Sequence, residues 1–564
     1  MNDPGPDRRA WLFGSGPDLI LGCGLGSMAV MVAQVSLGEA DLARWVPGGL
    51  LILLFSLPHY GATLLRVYED PADRQKYRAF SVVATLVVFA AFVLSLYGPL
   101  FGSLLLTLYL TWSPWHYTGQ NYGISLMLAG RRGVAISSAT KQLVHASFIT
   151  SYLLTLFAIH SAQPDGNYAP VSYGDSVFEL LPLGIPHAWV GVAIVLVGAA
   201  YAVATVGGVV GLLRGGRLGA VLPTLILMAT QALWFTLPVP IRHWELAGEG
   251  SIFRSVYTSY GFLWIAAYHA IQYLWITTYF GTESEKAVRE QASAPRRRLL
   301  FLGKATLMGY AVWTLPALLF APGVLGRLPH ESGLALMVAA AVNLHHFILD
   351  GAVWKLRDGR VARVLLRAPV APGGDPEAVT AAPRVPWLRR SLQGLGAASV
   401  AYAAFAFWVG DFGFSEAMAQ GNLAKSKQAL ERLAWIGRDG PSRHTELGRR
   451  LARGGRSGAA AQEFRRSLEL APTARGFQSL GLLHEEAREW QLAAAAYDSA
   501  LKLDPSDAST LLRAGRGWLE SGQAKRAVPL LERAVELAPE KRIIAVTLAR
   551  ARREAHNQKD HPDR

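Results

Sequence analysis

The chain has 564 residues, 51% of them hydrophobic and 17% charged, with a mean hydropathy of +0.24, and it is too long for one compact core. Its net charge of +14 does not point to nucleic acid, because lysines and arginines gather in short loops between apolar runs. The single cysteine, Cys23, lies inside the first apolar run, which excludes a disulfide framework and a thiolate zinc site.

A membrane span needs roughly 20 mostly apolar residues. About eleven such runs fall in order near residues 16 to 37, 45 to 66, 79 to 98, 100 to 128, 139 to 160, 186 to 212, 218 to 239, 256 to 280, 299 to 320, 331 to 354 and 392 to 411. The first lacks a small-residue cleavage site and reads as a retained helix. Basic stretches such as "RVYEDPADRQKYR", "RRGVAISSATK" and "KLRDGRVARVLLR" alternate with neutral or acidic connections. By the positive-inside rule the N-terminus is cytoplasmic, and an odd number of spans sends the tail to the other side of a cell (inner) membrane. The expectation is an all-α chain, with a polytopic transmembrane helix bundle over residues 1–411.

After residue 411 the composition turns to Ala, Leu, Arg and Glu without a long apolar run. Gly448, Gly481 and Gly515 recur at intervals of 33 and 34, followed by Ala460, Ala493 and Ala527 and then by Pro472, Pro505 and Pro539. Small residues let two antiparallel helices approach, Phe464, Tyr497 and Leu531 fill the space between them, and proline stops the second helix. Residues 441–556 thus resemble the tetratricopeptide repeat (TPR) family with a capping helix, after a degenerate helical pair or linker at 412–440. The resemblance implies an α-solenoid that binds a protein or peptide partner.

Histidines mark the bundle. His59, His116, His145, His269, His345 and His346 all fall between mid-membrane and the cytoplasmic side on the expected topology, whereas His160, His187, His243 and His330 fall at the outer ends. Polar groups in hydrocarbon are costly and need partners. A shared metal ion would serve, with His59, His116, His269 and either His345 or His346 as ligands. His345 and His346 are about 100 degrees apart on a helix and do not easily face one ion. Asp350, one turn beyond His346, is placed to orient that ring or to ligate directly. His145, nearest the interface, reads as an ordinary interfacial residue. Trp112, Trp115, Tyr117, Gln120, Asn121 and Tyr122 in "WSPWHYTGQNYG", with Tyr268, Gln272 and Tyr273 in "YHAIQYLW", are placed to line a cavity or to hydrogen-bond ligand rings. Pro58 and Pro114, close before His59 and His116, loosen the local helix.

"PHYGA", "WHY" and "YHAIQY" together resemble the integral-membrane carotene-cleaving oxygenases related to the Brp and Blh proteins. The resemblance implies iron beside a long polyene, carried by His59, His116 and His269, although Tyr273 stands where that family has a second histidine. No spaced triple-histidine box, P-loop, dinucleotide fingerprint or nucleophile elbow occurs. The sequence therefore points to a membrane oxidoreductase or oxygenase that holds a transition metal, iron favoured, and acts on a lipid-soluble molecule such as a polyene, quinone or acyl chain. Two readings compete with it. One is a membrane-anchored TPR scaffold without catalysis. The other is a glycosyl or prenyl transferase using Asp70 and Asp73 in the loop "YEDPADR".

Overall fold

The structure is a computed structural model that describes residues 10–69, 71–162, 171–173, 176–246, 259–284, 293–320, 333–354, 361–366 and 386–560. The basic pair Arg8 and Arg9, Asp70, His330 and the greater part of the long loops lie outside the described residues. The chain divides into two compact units. One runs through Ala403, excluding Ser172–Asp175 and Ala317–Ala335, and the other is dominated by Ala404–Arg564.

The described residues are helical apart from two short paired strands, Val171–Tyr173 and Ser176–Phe178. The helices of the first unit in chain order are α1, a pair bent by 58° (Ser15–Gly22 and Leu25–Leu37), α2 (Gly48–Tyr68), α3 (Ala79–Tyr97) and α4 (Pro99–Arg131). There follow α5 (Ser138–Ile159), α6 (His187–Gly215), α7 (Leu218–His243), α8 (Ser259–Ser284), α9 (Ala294–Phe320) and α10 (Leu334–Val353), and α11 (Gln393–Ala419) runs on into the second unit.

Among the described residues, eight of these helices are long and apolar enough to cross a membrane, nine with the bent pair taken as one. The eleven runs expected from sequence thus all form helices, but α4 and α8 fall short of that apolarity. The physical reason is their cargo, since "WSPWHYTGQNYG" and "YHAIQYLW" place polar and amphipathic side chains where a lipid-facing helix has leucine and valine.

Two local features set the helices that carry histidines. Helix α2 contains a π-helical turn at Ile52–Ser56, just before Pro58 and His59. Wide turns of this kind often occur where a side chain must be re-aimed. Two residues after His59, Gly61 meets α9 so closely that a Cβ would stand 1.8 Å from the Ala305 carbonyl oxygen, and a Cβ on Gly309 would stand 1.8 Å from that of Leu57. Glycine at this crossing permits backbone contact between helices. The first half of α1 is anchored by Asp18, whose carboxylate accepts Leu12 N at 2.6 Å, Phe13 N at 3.2 Å and Trp275 Nε1 at 2.9 Å, and at the bend Thr230 donates to Cys23 O at 3.0 Å.

The second unit is a stack of paired helices. After α12 (Leu423–Ala434) come the pairs α13 (Pro441–Arg453) with α14 (Ser457–Leu470), α15 (Ala474–Glu486) with α16 (Trp490–Leu503), and α17 (Ala508–Glu520) with α18 (Ala524–Leu537), closed by α19 (Arg542–Asp560). Gly448, Gly481 and Gly515 face Phe464, Tyr497 and Leu531, leaving 2.6, 2.8 and 2.6 Å for an added Cβ. Ala460, Ala493 and Ala527 are fully buried. The same offsets make the same contact three times, which is the architecture of a helical-repeat solenoid.

Where the next two repeats have Phe477 and Leu511 at the equivalent position, His444 is buried between two acids. Its Nδ1 lies 2.6 Å from Glu463 Oε2 and its Nε2 lies 3.3 Å from Asp439 Oδ2, while Arg466 donates to Asp439 at 3.2 Å. Burial alone would push the imidazole down, but the hydrogen bonds and charges of Asp439 and Glu463 outweigh it and leave the group raised from its ordinary 6.5. Burial likewise opposes ionisation of Asp439, yet its bond to His444 and the nearby cations leave its carboxyl lowered. The raised imidazole contributes stability that is complete below its unfolded value and lost as pH rises through its folded value. The lowered carboxyl contributes stability lost as pH falls through its own folded value. Hydrogen exchange of residues 441–470 in the intact protein is thus expected to accelerate from pH 6 to pH 9 beyond the ordinary chemical dependence. His444→Gln should remove that excess, and an unchanged excess in the variant would contradict the assignment.

Candidate metal centre

Four helices deliver one histidine each to a common point. His59 comes from α2, His116 from α4, His269 from α8 and His346 from α10, and Asp350 follows one turn after His346. His59, His269 and His346 offer ligand atoms that all lie within 4.8 Å of one another, and so do His116, His346 and Asp350. His346 belongs to both groups, so the two sets form one cluster. Ring centroids stand 4.2 Å apart for His59 and His346, 4.8 Å for His116 and His346, 4.9 Å for His116 and His269 and 5.1 Å for His59 and His269.

Hydrogen bonds around the cluster assign its ring nitrogens. Tyr273 OH donates to Asp350 Oδ1 at 2.7 Å. Thr63 Oγ1 donates to Tyr273 OH at 2.7 Å. With its proton so committed, Thr63 accepts from His346 Nδ1 at 2.8 Å, and the lone pair of His346 is left on Nε2. His59 Nδ1 lies 3.3 Å from the carbonyl oxygen of Ser56, an acceptor, so this ring also keeps its lone pair on Nε2. The two Nε2 atoms face each other at 2.8 Å. On this assignment, read from the network as ring tautomers must be, two lone pairs meet head-on, an arrangement that a shared cation makes favourable.

The unpartnered atoms point the same way. His116 Nε2 and both ring nitrogens of His269 are buried without a hydrogen-bond partner among the described residues, which is costly for a polar group. Asp350 Oδ1 is anchored by Tyr273, while Oδ2 lies 3.4 Å from His346 Nε2 and 3.7 Å from His116 Nε2. Neighbouring ligands on a first-row ion are about 3.0–3.4 Å apart, given metal–nitrogen bonds of about 2.1 Å. The observed 2.8, 3.4 and 3.7 Å bracket that spacing. Buried His and Asp groups here can hold a metal, through nitrogen and oxygen donors.

The structure separates the residues singled out from sequence. His345 is turned away, and its Nδ1 lies 2.6 Å from Tyr60 OH and its Nε2 2.7 Å from Thr85 Oγ1. Adjacent helical positions differ by about 100 degrees, so with His346 in the cluster His345 points elsewhere. This corrects its place in the ligand set. Asn121 also points away, donating to Gln231 at 3.0 Å. Tyr268 packs with Trp234 and Phe235 rather than on the cavity. Tyr117 stacks on the His269 ring at 4.3 Å. Gln120 donates to His269 O and to Gln272 Oε1, both at 3.2 Å, and Gln272 donates to Gly22 O at 3.0 Å. Trp115, His116, Gln120, Tyr273 and Asp350 line one cavity of about 330 Å³.

His145 lies outside the cluster, 4.7 Å from the Tyr122 ring. Of the outer histidines, His160 is bonded to Thr111 at 2.9 Å and His187 stacks on His243 at 4.0 Å. Asp73 pairs with the buried Arg66, and its expected companion Asp70 is outside the described residues.

Sequence reasoning missed Thr63, Tyr60, Thr85 and the role of Trp354, whose Nε1 donates to Tyr273 OH at 3.0 Å. Thr63 had a legible signal, since it stands one turn after His59 on the same face. Tyr60 and Thr85 had none, because they meet His345 only through the way α2, α3 and α10 pack.

No family model matches the chain, and no curated protein matches it. Among solved structures, the crystal structure of MamA protein is similar over 28% of this chain and 85% of its own, at 16% identity and a TM-score of 0.25. The structure described as MamA MSR-1 C2 covers 28% of this chain and 89% of its own, at 19% identity and a TM-score of 0.23. Likeness of that size adds nothing to what the repeat contacts already establish about the helical stack.

Proposed function

We propose that the protein is an integral-membrane, metal-dependent oxidoreductase or oxygenase that acts on a lipid-soluble substrate and carries a repeat domain for a protein partner. The observation that supports this most is the pair of facing Nε2 atoms at 2.8 Å, set among three further ring nitrogens without partners among the described residues. His59, His116, His269 and His346 would hold the ion, with Asp350 Oδ2 as a further ligand or as the base beside it. Imidazole with carboxylate suits iron, copper, zinc or manganese, and iron is our choice because the "PHYGA", "WHY" and "YHAIQY" resemblance implies it. Such an ion supplies electron transfer or oxygen chemistry that side chains alone do not.

The chain's own residues do the rest. Thr63, held between His346 and Tyr273, fixes the ring that both ligand groups share. Tyr273 and Trp354 hold Asp350 by one oxygen and leave the other facing the cavity. The run from His346 Nδ1 through Thr63 and Tyr273 to Asp350 Oδ1 is a continuous chain of hydrogen bonds that fixes the shared ring and the carboxylate relative to each other. The bundle excludes water from His59, His269 and His346 by burying their rings. We place the N-terminus in the cytoplasm and the repeat domain outside it, in a cell membrane.

The test is metal analysis of the full-length protein purified without added chelator. Close to one transition-metal ion per chain is the expected result, and a metal-free, folded wild type would contradict the reading. The scaffold alternative draws on the repeat stack itself. It predicts that removing residues 412–564 abolishes function while substitutions of the four histidines are silent.

A further inference from the structure

The cavity of about 330 Å³ reaches His116 and Asp350. Its inner end is polar, with His116, Tyr273, Asp350 and Trp354, and its walls include the flat rings of Trp112, Trp115 and Phe347. Gly119 and Gly123, one turn apart on α4, line it too, with Gly351 on α10. A Cβ at any of these three glycines would meet no atom within 4 Å, and none has a positive φ. Neither packing nor backbone conformation therefore calls for glycine, which weakens a helix interior relative to alanine. What glycine provides there is open space. Trp115 is 42% exposed and Gly119 is exposed, so they mark the mouth. Gly119 lies about 30 Å along a helix about 50 Å long, at 1.5 Å per residue, and with α4 crossing the membrane as the proposed function has it, the mouth faces the bilayer and not water.

The inner end tells what it receives. His116 Nε2 has no hydrogen-bond partner among the described residues although its side chain is 10% exposed, and Asp350 Oδ2 faces it at 3.7 Å. A hydroxyl suits both situations, since its proton satisfies the carboxylate and its oxygen accepts from the imidazole in the tautomer that protonates Nε2. The volume is about twice the roughly 150 Å³ that admits benzene in an engineered apolar cavity, so it accepts one substituted ring and leaves a long tail outside. Flat aromatic walls favour a ring over an acyl chain.

We propose that this cavity binds the head of a ring-headed lipid carrying a hydroxyl, a phenol or quinol with an apolar tail, which reaches Asp350 from the bilayer between Trp115, Gly119 and Gly123. The inference extends the metal-centre reading, whose ion would lie at the cavity's inner end, but binding is read apart from metal and from activity.

The experiment uses the full-length protein in lipid nanodiscs and a decyl-tailed phenol with a photoactivatable diazirine next to the ring, with labelled peptides found by mass spectrometry. Label is expected on 112–127 and 361–366. Gly123→Leu, or Gly119→Leu if the first variant does not fold, should reduce it at least tenfold. Gly303→Leu, at an equally roomy position on α9 outside the cavity, should leave it unchanged. The probe's methyl ether should label at least tenfold less. Labelling that ignores the cavity glycines in folded variants, or an ether that labels as well as the phenol, overturns the proposal. Metal counted in the same samples separates the two ideas. Labelling at full yield without metal would sink the metal centre and leave the lipid site, and a full metal load without cavity labelling would do the reverse.

Discussion

His346→Ala is expected to lower bound metal from near one ion per chain to under a tenth, because this ring belongs to both ligand groups and its loss leaves neither with three donors. His345→Ala, one residue away, should keep the metal. It removes a partner of Tyr60 and Thr85 and costs about 1–3 kcal/mol of stability, the usual range for leaving a buried hydroxyl unsatisfied. Thr63→Val falls between these, keeping every ligand but taking away the acceptor of His346 Nδ1. Loss of such a supporting bond typically weakens metal affinity about 10–100-fold. Metal content after dialysis against graded chelator separates the three variants. Equal loss in His345→Ala and His346→Ala would show that the cluster responds to bundle damage rather than to ligand removal.

The second large effect lies in the repeat stack. Tyr497→Ala should destabilise the domain by about 3–5 kcal/mol, the range for truncating a buried aromatic. The ring is 1% exposed and fills the space over Gly481, and its hydroxyl donates to Glu485 at 2.8 Å. Glu485 also accepts from Arg513 at 2.9 Å and from Arg516, so the deletion loosens the link from α15 to α17 as well. Gly481→Val approaches the same contact from the other side. Its Cβ would stand 2.8 Å from the Tyr497 ring, and overpacking of this kind costs about 1–3 kcal/mol. Hydrogen exchange in the full-length protein reads both changes. Loss of protection should begin in 474–503 and spread to 508–537, because each repeat is held by its neighbours. Protection lost only within the substituted helix would contradict that coupling.

The repeat stack was legible because three segments make one contact at fixed offsets, and periodicity survives ignorance of the packing. The spans were legible as apolar runs. α4 and α8 show where that rule weakens, since the residues that lower their apolarity are those that bring His116 and His269 inward. The histidine cluster was legible in kind but not in phase. Sequence shows that His345 and His346 cannot both face one point, and only the rotation of α10 against α2 decides for His346. The rotations of α4 and α8 likewise send Asn121 to Gln231 and Tyr268 to Trp234, although both share a motif with a cluster histidine. Thr63 could have been found by asking which polar residue stands one turn from His59. Tyr60 and Thr85 come from other helices in the fold, and no spacing within the chain encodes that meeting.

The most direct measurement of the central claim is X-ray absorption at the metal edge of the purified full-length protein. Four histidines and one carboxylate predict a first shell of nitrogen and oxygen at about 2.0–2.2 Å, with the outer-shell scattering that several imidazole rings produce and a clear loss of that scattering in His346→Ala. A spectrum without imidazole scattering, or one identical in His346→Ala, would contradict the account.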